Sequence, residues 1–146
     1  MIDRKFVGYE FGKMEVPIPR WKVSQFAKAI RNDNPIYYDI EVAKGKGYSD
    51  LPVPPTFYTT MTFSDKDFYE ILGIDFRKLL DGSREYKYYS DCCAGDIVSY
   101  QTKIKSITEK EGKRGKMDIL IAITTIKNKV TEKKVLDMII TLIIFH

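Results

Sequence analysis

The stretches KMDILIAITTIKNK (residues 116–129) and KKVLDMIITLIIFH (residues 133–146) are apolar on both faces, and this limits the folds open to the chain more than any other feature. Read with the two-residue period of a strand, Ile119, Ile121 and Ile123 point one way while Leu120, Ala122 and Thr124 point the other. Such strands have to be covered twice, by a helix on one side and by a partner sheet or second subunit on the other. Residues 83–90 (SREYKYYS) and 96–110 (DIVSYQTKIKSITEK) also read as strands. Turn signals separate the four at Ala94-Gly95-Asp96, Glu111-Gly112-Lys113 and Asn128-Lys129. In residues 96–110, Val98, Tyr100, Thr102 and Ile104 share one face and Ser99, Gln101, Lys103 and Lys105 the other, as a sheet with one wet side requires.

The first 80 residues have a different character. GKMEVPI (residues 12–18) reads as a short strand stopped by Pro17 and Pro19. Val23, Phe26, Ala27 and Ile30 then fall at i, i+3, i+4 and i+7, which predicts an amphipathic helix ended by Asp33 and Asn34-Pro35. Asp39 is placed to cap a short helix over IEVAKG, with Gly45 and Gly47 available to stop it. SDLPVPPTF, with three prolines in four residues, is an extended loop. Phe57, Tyr58 and Met61 give TFYTTMTF helical spacing, and DKDFYEILG continues with Phe68, Ile71 and Leu72 on one side. Long antiparallel strands after a helical half predict an α+β class: one domain over residues 1–146, a curved antiparallel sheet wrapped on a central helix.

Lys and Arg number 24 against 20 acidic residues, a net charge of +4 with no basic block, so nucleic acid is not an expected partner. Cys92 and Cys93, the only cysteines, are adjacent. Two ligands do not make a zinc site, and free thiols in a reducing compartment are expected. The sole histidine, His146, is the last residue, which leaves a nucleophilic cysteine without an obvious partner. MIDRKFVGYEF lacks the apolar core of a leader, and MIITLIIF is too short to span a bilayer. The expectation is a cytoplasmic protein with no membrane partner and no cofactor.

AIRNDNPIYYD (residues 29–39) carries the functional information. Its order within the chain, with AKGKGYSDLPVPPTF, YKYYSDCCAGDIVSYQTKI and the closing TLIIF, resembles the MaoC-like hot-dog proteins. It is similar more narrowly to the N-terminal domain of MaoC-like dehydratases of the (R)-specific enoyl-CoA hydratase type. The resemblance spans nearly the whole chain with the motifs in register. It implies a hot-dog fold, units that pair, and interconversion of (R)-3-hydroxyacyl and 2-enoyl thioesters of CoA or acyl carrier protein. Active members use an Asp and a His within G-D-x-N-P-(L/I/V)-H, since dehydration removes one proton and delivers another.

Laid on this sequence, that motif puts its Gly on Arg31, its Asp on Asn32, its Asn-Pro on Asn34-Pro35 and its His on Tyr37. Asn does not titrate, and a phenol ionises near 10; lowering it by ~3 units takes ~4 kcal/mol of anion stabilisation. Arg31 is the one neighbour that would help. No catalytic pair is therefore expected, only the degenerate positions Asn32 and Tyr37. The resemblance implies an oxyanion donor near PPTF, where Thr56 and Phe57 are the first residues with an N–H. Asn32, Asn34, Tyr37, Thr56 and Phe57 are thus the expected substrate-binding residues.

Ordinary readings stand beside these. Asn32 suits local backbone bonding at a helix end, and Tyr37 suits a buried ring with a tethered hydroxyl. Asp33 reads as a displaced base or a turn residue, and Asp39 as a cap rather than an acid. Tyr37, Tyr38, Tyr58, Tyr86, Tyr88 and Tyr89 either line an acyl channel or pack. Lys44, Lys46 and Arg84 either meet a phosphate of the thioester carrier or are solvated. Three functions follow. The first is an acyl-binding subunit that lacks the Asp/His pair and forms a heterodimer with a MaoC-like catalytic chain. The second is a homodimeric hydratase or thioesterase using unorthodox residues, Tyr37 with Asp33, or Glu41. The third is a non-catalytic acyl-CoA-binding hot-dog protein.

Overall fold

The computed structural model describes residues 1–61 and 65–146, and of residues 65–67 the backbone alone. Among the described residues five antiparallel strands form one sheet: β1 (Met14–Pro17), β2 (Leu79–Tyr88), β3 (Ile97–Gly112), β4 (Gly115–Asn128) and β5 (Lys134–Phe145), in the spatial order β1-β3-β4-β5-β2. The helices are α1 (Arg20–Ala29), α2 (Ile40–Gly45) and α3 (Asp65–Leu72). The expected α+β architecture is present. No helix among the described residues is long and apolar enough to cross a membrane.

The alternation read in the last strands sets the core. Asp118, Leu120, Ala122, Thr124 and Ile126 of β4, with Leu136, Met138, Ile140, Leu142 and Ile144 of β5, face inward and are buried. Ile119, Ile121, Ile123, Ile139 and Ile143 form the half-buried outer face. In β3 the alternation holds to Ile104, where a bulge before Ser106 restores Ile107 to the inner face. Ser99, read as wet, is buried; it lies in register between Glu15 and Lys127. Three polar side chains on the inner face are all satisfied. The Thr102 and Thr124 hydroxyls meet at 2.8 Å. The Asp118 carboxylate accepts from the Ile2 N–H at 2.7 Å, from Arg4 at 2.7 Å and from His146 Nε2 at 3.2 Å.

The helical layer departs from expectation in places. Val23 and Ala27 of α1 are buried, but Ile30 lies past the helix end and is exposed. Phe68 and Leu72 of α3 are buried whereas Ile71 is exposed. The helix read over TFYTTMTF is a single 3-10 turn, Phe57–Thr60; Thr62 and Phe63 lie outside the described residues. The threonine hydroxyls supply the reason. Thr59 Oγ1 donates to Thr56 O at 2.7 Å and Thr60 Oγ1 to Phe57 O at 2.8 Å, competing with the backbone for helical acceptors. The extended loop before it is as read, and Pro52 pairs with Cys93 in an isolated bridge.

Candidate functional site

Residues 34–48 form two capped turns that aim two phenols at one cleft. The Asn34 side chain accepts from the Ile36 N–H at 3.2 Å, and Pro35 opens the 3-10 turn Pro35–Tyr37 with its φ already set. Ser24 of α1 donates to the Tyr37 carbonyl at 2.9 Å, fixing the turn to the helix layer. Tyr37 is 7% exposed.

Asp39 then caps α2, accepting from the Glu41 and Val42 N–H groups at 2.8 and 3.3 Å. The helix closes through Gly47, at φ +94°, whose N–H reaches Lys44 O while the Tyr48 N–H reaches Ala43 O. This pair of reversed bonds is a Schellman closure, and only glycine takes that backbone without strain. It leaves Tyr48 facing the same cleft as Tyr37.

The cleft has a volume of about 390 Å³. Ile36, Pro52, Val53 and Pro55 give it apolar walls, and five tyrosines line it: Tyr37, Tyr48, Tyr58, Tyr88 and Tyr89. Three of these hydroxyls are engaged. Tyr88 donates to Pro55 O at 2.8 Å, Tyr89 to Asp137 at 3.1 Å, and Tyr58 sits against the Cys92 thiol. Burial pushes Tyr58 and Cys92 far above their ordinary pKa values. Burial, and then the neighbouring Tyr48 phenol, also raise Tyr37, so both its position and its environment keep it protonated. Among the described residues that line the cleft, Asp91 is the one carboxylate, and there is no histidine, lysine or arginine.

Of the expected binding residues, Tyr37 lines this cleft and the other four do not. The Asn32 amide oxygen accepts from the Asn34 N–H at 3.0 Å, and its carbonyl accepts from Tyr38 Oη at 2.7 Å. Asn34 is a cap. Thr56 is exposed, and Phe57 is a core ring set edge-on to Phe26, its N–H donating to Pro54 O at 2.9 Å. The oxyanion donor expected at Phe57 is therefore occupied by the turn itself. Arg31, at the motif's glycine position, keeps a left-handed backbone with φ +55°. Asp33 and Glu41 are exposed and outside the cleft, as are Lys44, which pairs with Glu41 at 3.9 Å, and Lys46. Arg84 pairs with Asp81 at 2.9 Å. Cys92 and Cys93 are free and buried, as expected. His146, held by Asp118, sits just past the opposite end of β5 from the cleft. Tyr48 and Asp91 were missed by sequence reasoning, although both fall inside stretches that carry the resemblance. Among the described residues no group of three or more His, Cys, Asp or Glu is arranged to hold a metal.

A family model described as the FAS1-like dehydratase domain region matches residues 5–137. A protein of Streptomyces avermitilis named UPF0336 protein is 32% identical over 117 residues, 76% of this chain and 77% of that one. The C-terminally truncated HadBC complex of Mycobacterium tuberculosis, a 3R-hydroxyacyl-ACP dehydratase, superimposes with a TM-score of 0.82 at 22% identity, covering 94% of this chain and 96% of that one. The ChsH1-ChsH2 complex of the same organism gives a TM-score of 0.70 at 14% identity, covering 95% and 98%. At these identities the two likenesses speak to fold alone, and the fold is the hot dog.

Proposed function

The chain belongs to the FAS1-like dehydratase domain region family of MaoC-like hot-dog proteins, and on that premise we propose that it is an acyl-thioester-binding subunit without a proton-shuttling pair of its own. It binds the acyl chain of a CoA or carrier-protein thioester and completes the site of a MaoC-like chain that carries the Asp and His. The hydration or dehydration of the (R)-3-hydroxyacyl group is then performed by the partner's side chains. One observation carries the reading: the cleft offers phenols where the chemistry needs a base. Tyr37 stands in the His position with its phenol held neutral, and the Asn32 amide oxygen is taken up by the Asn34 N–H.

The sheet edge supports the pairing. β2 is the terminal strand of the sheet, and its last residue, Tyr88, lines the cleft with Tyr89. A strand added along that edge would bring a partner's side chains beside the cleft mouth. Two of the structural neighbours, HadBC and ChsH1-ChsH2, are themselves two-chain complexes.

The test is coexpression with a MaoC-like chain that contains D-x-N-P-(L/I/V)-H. The two are expected to copurify, and the complex to hydrate crotonyl-CoA or a longer enoyl-CoA faster than the partner alone, while this chain alone is inactive. Failure to associate, with no gain in rate, overturns the reading. Asp91 favours a second reading, a homodimeric hydratase or thioesterase with Asp91 as base and Tyr37 as acid. Turnover by the isolated chain that Asp91→Asn and Tyr37→Phe each abolish would establish it.

A further inference from the structure

The Phe57 N–H is bonded to Pro54 O, and Thr56 does not line the cleft, so the side chains that do line it are the groups to consider for holding the thioester carbonyl. Two side chains are suited to it. Every fully buried polar side-chain atom among the described residues has a hydrogen-bond partner. Tyr37 is more than nine-tenths buried, yet its hydroxyl has no partner among those residues, so the hydroxyl is the part of the residue that reaches open space. The space it reaches is the cleft. The half-buried Tyr48 also lines the cleft with a hydroxyl that has no partner there, and its phenol lies close enough to perturb Tyr37. The remaining three cleft tyrosines are already committed to Pro55, Asp137 and Cys92.

We propose that the Tyr37 and Tyr48 hydroxyls converge on the carbonyl oxygen of an acyl thioester and donate one hydrogen bond each. The assignment rests on the acyl-binding reading above and names its anchoring residues. A carbonyl oxygen has two lone pairs and accepts two neutral donors. The same pair is poorly suited to a free carboxylate. No cation lines the cleft among the described residues, so a full charge entering between Ile36, Val53 and the tyrosine rings would be desolvated without a counter-ion. The two phenols polarise the carbonyl and fix its orientation. That presents the neighbouring carbon to whatever base the partner supplies, and Tyr37 and Tyr48 themselves need not exchange a proton.

The experiment compares butyryl-CoA, a saturated thioester that cannot be hydrated, with its thioether S-butyl-CoA, which lacks the carbonyl oxygen. Affinities are measured by calorimetry for the full chain, with any copurifying partner retained, and for Tyr37→Phe, Tyr48→Phe and the double variant. The wild-type chain is expected to prefer the thioester. Each substitution is expected to weaken the thioester about three- to tenfold and leave the thioether unchanged. The double variant should bind the two alike. In the infrared, the ¹³C-labelled carbonyl stretch of bound butyryl-CoA should fall in the wild type and return toward its free value in the double variant. Equal weakening of both ligands, or no discrimination by the wild type, overturns the carbonyl anchor and leaves acyl binding intact. Binding of neither ligand removes the anchor and the acyl-binding reading together.

Discussion

Replacing Asp118 with Asn keeps the shape of a fully buried side chain and removes its charge, so its cost is electrostatic rather than a cavity. Three donors converge on the carboxylate: the Ile2 N–H, Arg4 and His146. Burial works against the ion, but these donors outweigh it and hold the pKa below the ordinary aspartate value. Weakening the buried bond from Ile2 removes about 1 kcal/mol of charge assistance. The Arg4 pair, discounted because that side chain is 41% exposed, contributes about 1 kcal/mol more. Turning the amide N–H toward Arg4 adds a penalty of about 1 kcal/mol. The sum, about 3 kcal/mol, corresponds to a fall in Tm of roughly 6–12 °C for a domain of this size. Since the folded pKa lies below the unfolded one, the charged form stabilises fully above about pH 4, and this contribution fades as pH falls through the folded value. At pH 3, below the unfolded value, part of this contribution is lost and the gap should narrow. Urea denaturation of both proteins at pH 7 and pH 3 measures this. A gap under 1 kcal/mol at pH 7, or one unchanged at pH 3, refutes the reasoning.

Gly47→Ala meets no atom within 4 Å but forces a side chain into φ +94°; it should cost about 1 kcal/mol in Tm-based stability and weaken acyl-CoA binding in calorimetry by displacing Tyr48. Arg31→Gly relieves a left-handed arginine at φ +55° and should stabilise by about 0.5–1 kcal/mol in urea titrations, with ligand affinity unchanged. The Cys92 thiol, raised by burial first and then by Asp96, should resist Ellman's reagent in the native state at pH 8 and react after unfolding in guanidinium. Asp39→Ala removes the acceptor for two N–H groups of α2 and should lower stability by about 1 kcal/mol in thermal melts.

Where a signal is local, it was legible in the sequence. The period-two runs gave β3 to β5 with small errors at their ends, and the Asp39 cap acts as read, whereas Asn34, expected to bind substrate, caps a turn instead. The strand read from Ser83 begins four residues earlier, at Leu79, because the chain absorbs Gly82 as a bulge between Asp81 and Ser83. Asp118 breaks an otherwise apolar inward face, a visible signal whose meaning depends on Ile2, Arg4 and His146 arriving from distant parts of the chain. The site itself was half legible. Tyr37 follows from the motif, but Tyr48 joins it only because a Schellman closure turns the chain back. Phe57 loses its N–H to a turn that threonine hydroxyls favour over a helix.

The terminal strand β2 leaves a row of backbone donors and acceptors at the margin of the sheet, a surface on which any extended peptide could in principle zip. Along it stand Asp81, Arg84, Glu85 and Lys87, both signs closely interspersed, and the bulge that twists the row out of line. An unaccompanied copy is thereby shielded from indiscriminate self-stacking into fibrils. Under the proposed pairing, a partner strand would be selected by how its own acidic and basic groups answer that alternation, at the rim rather than in the pocket.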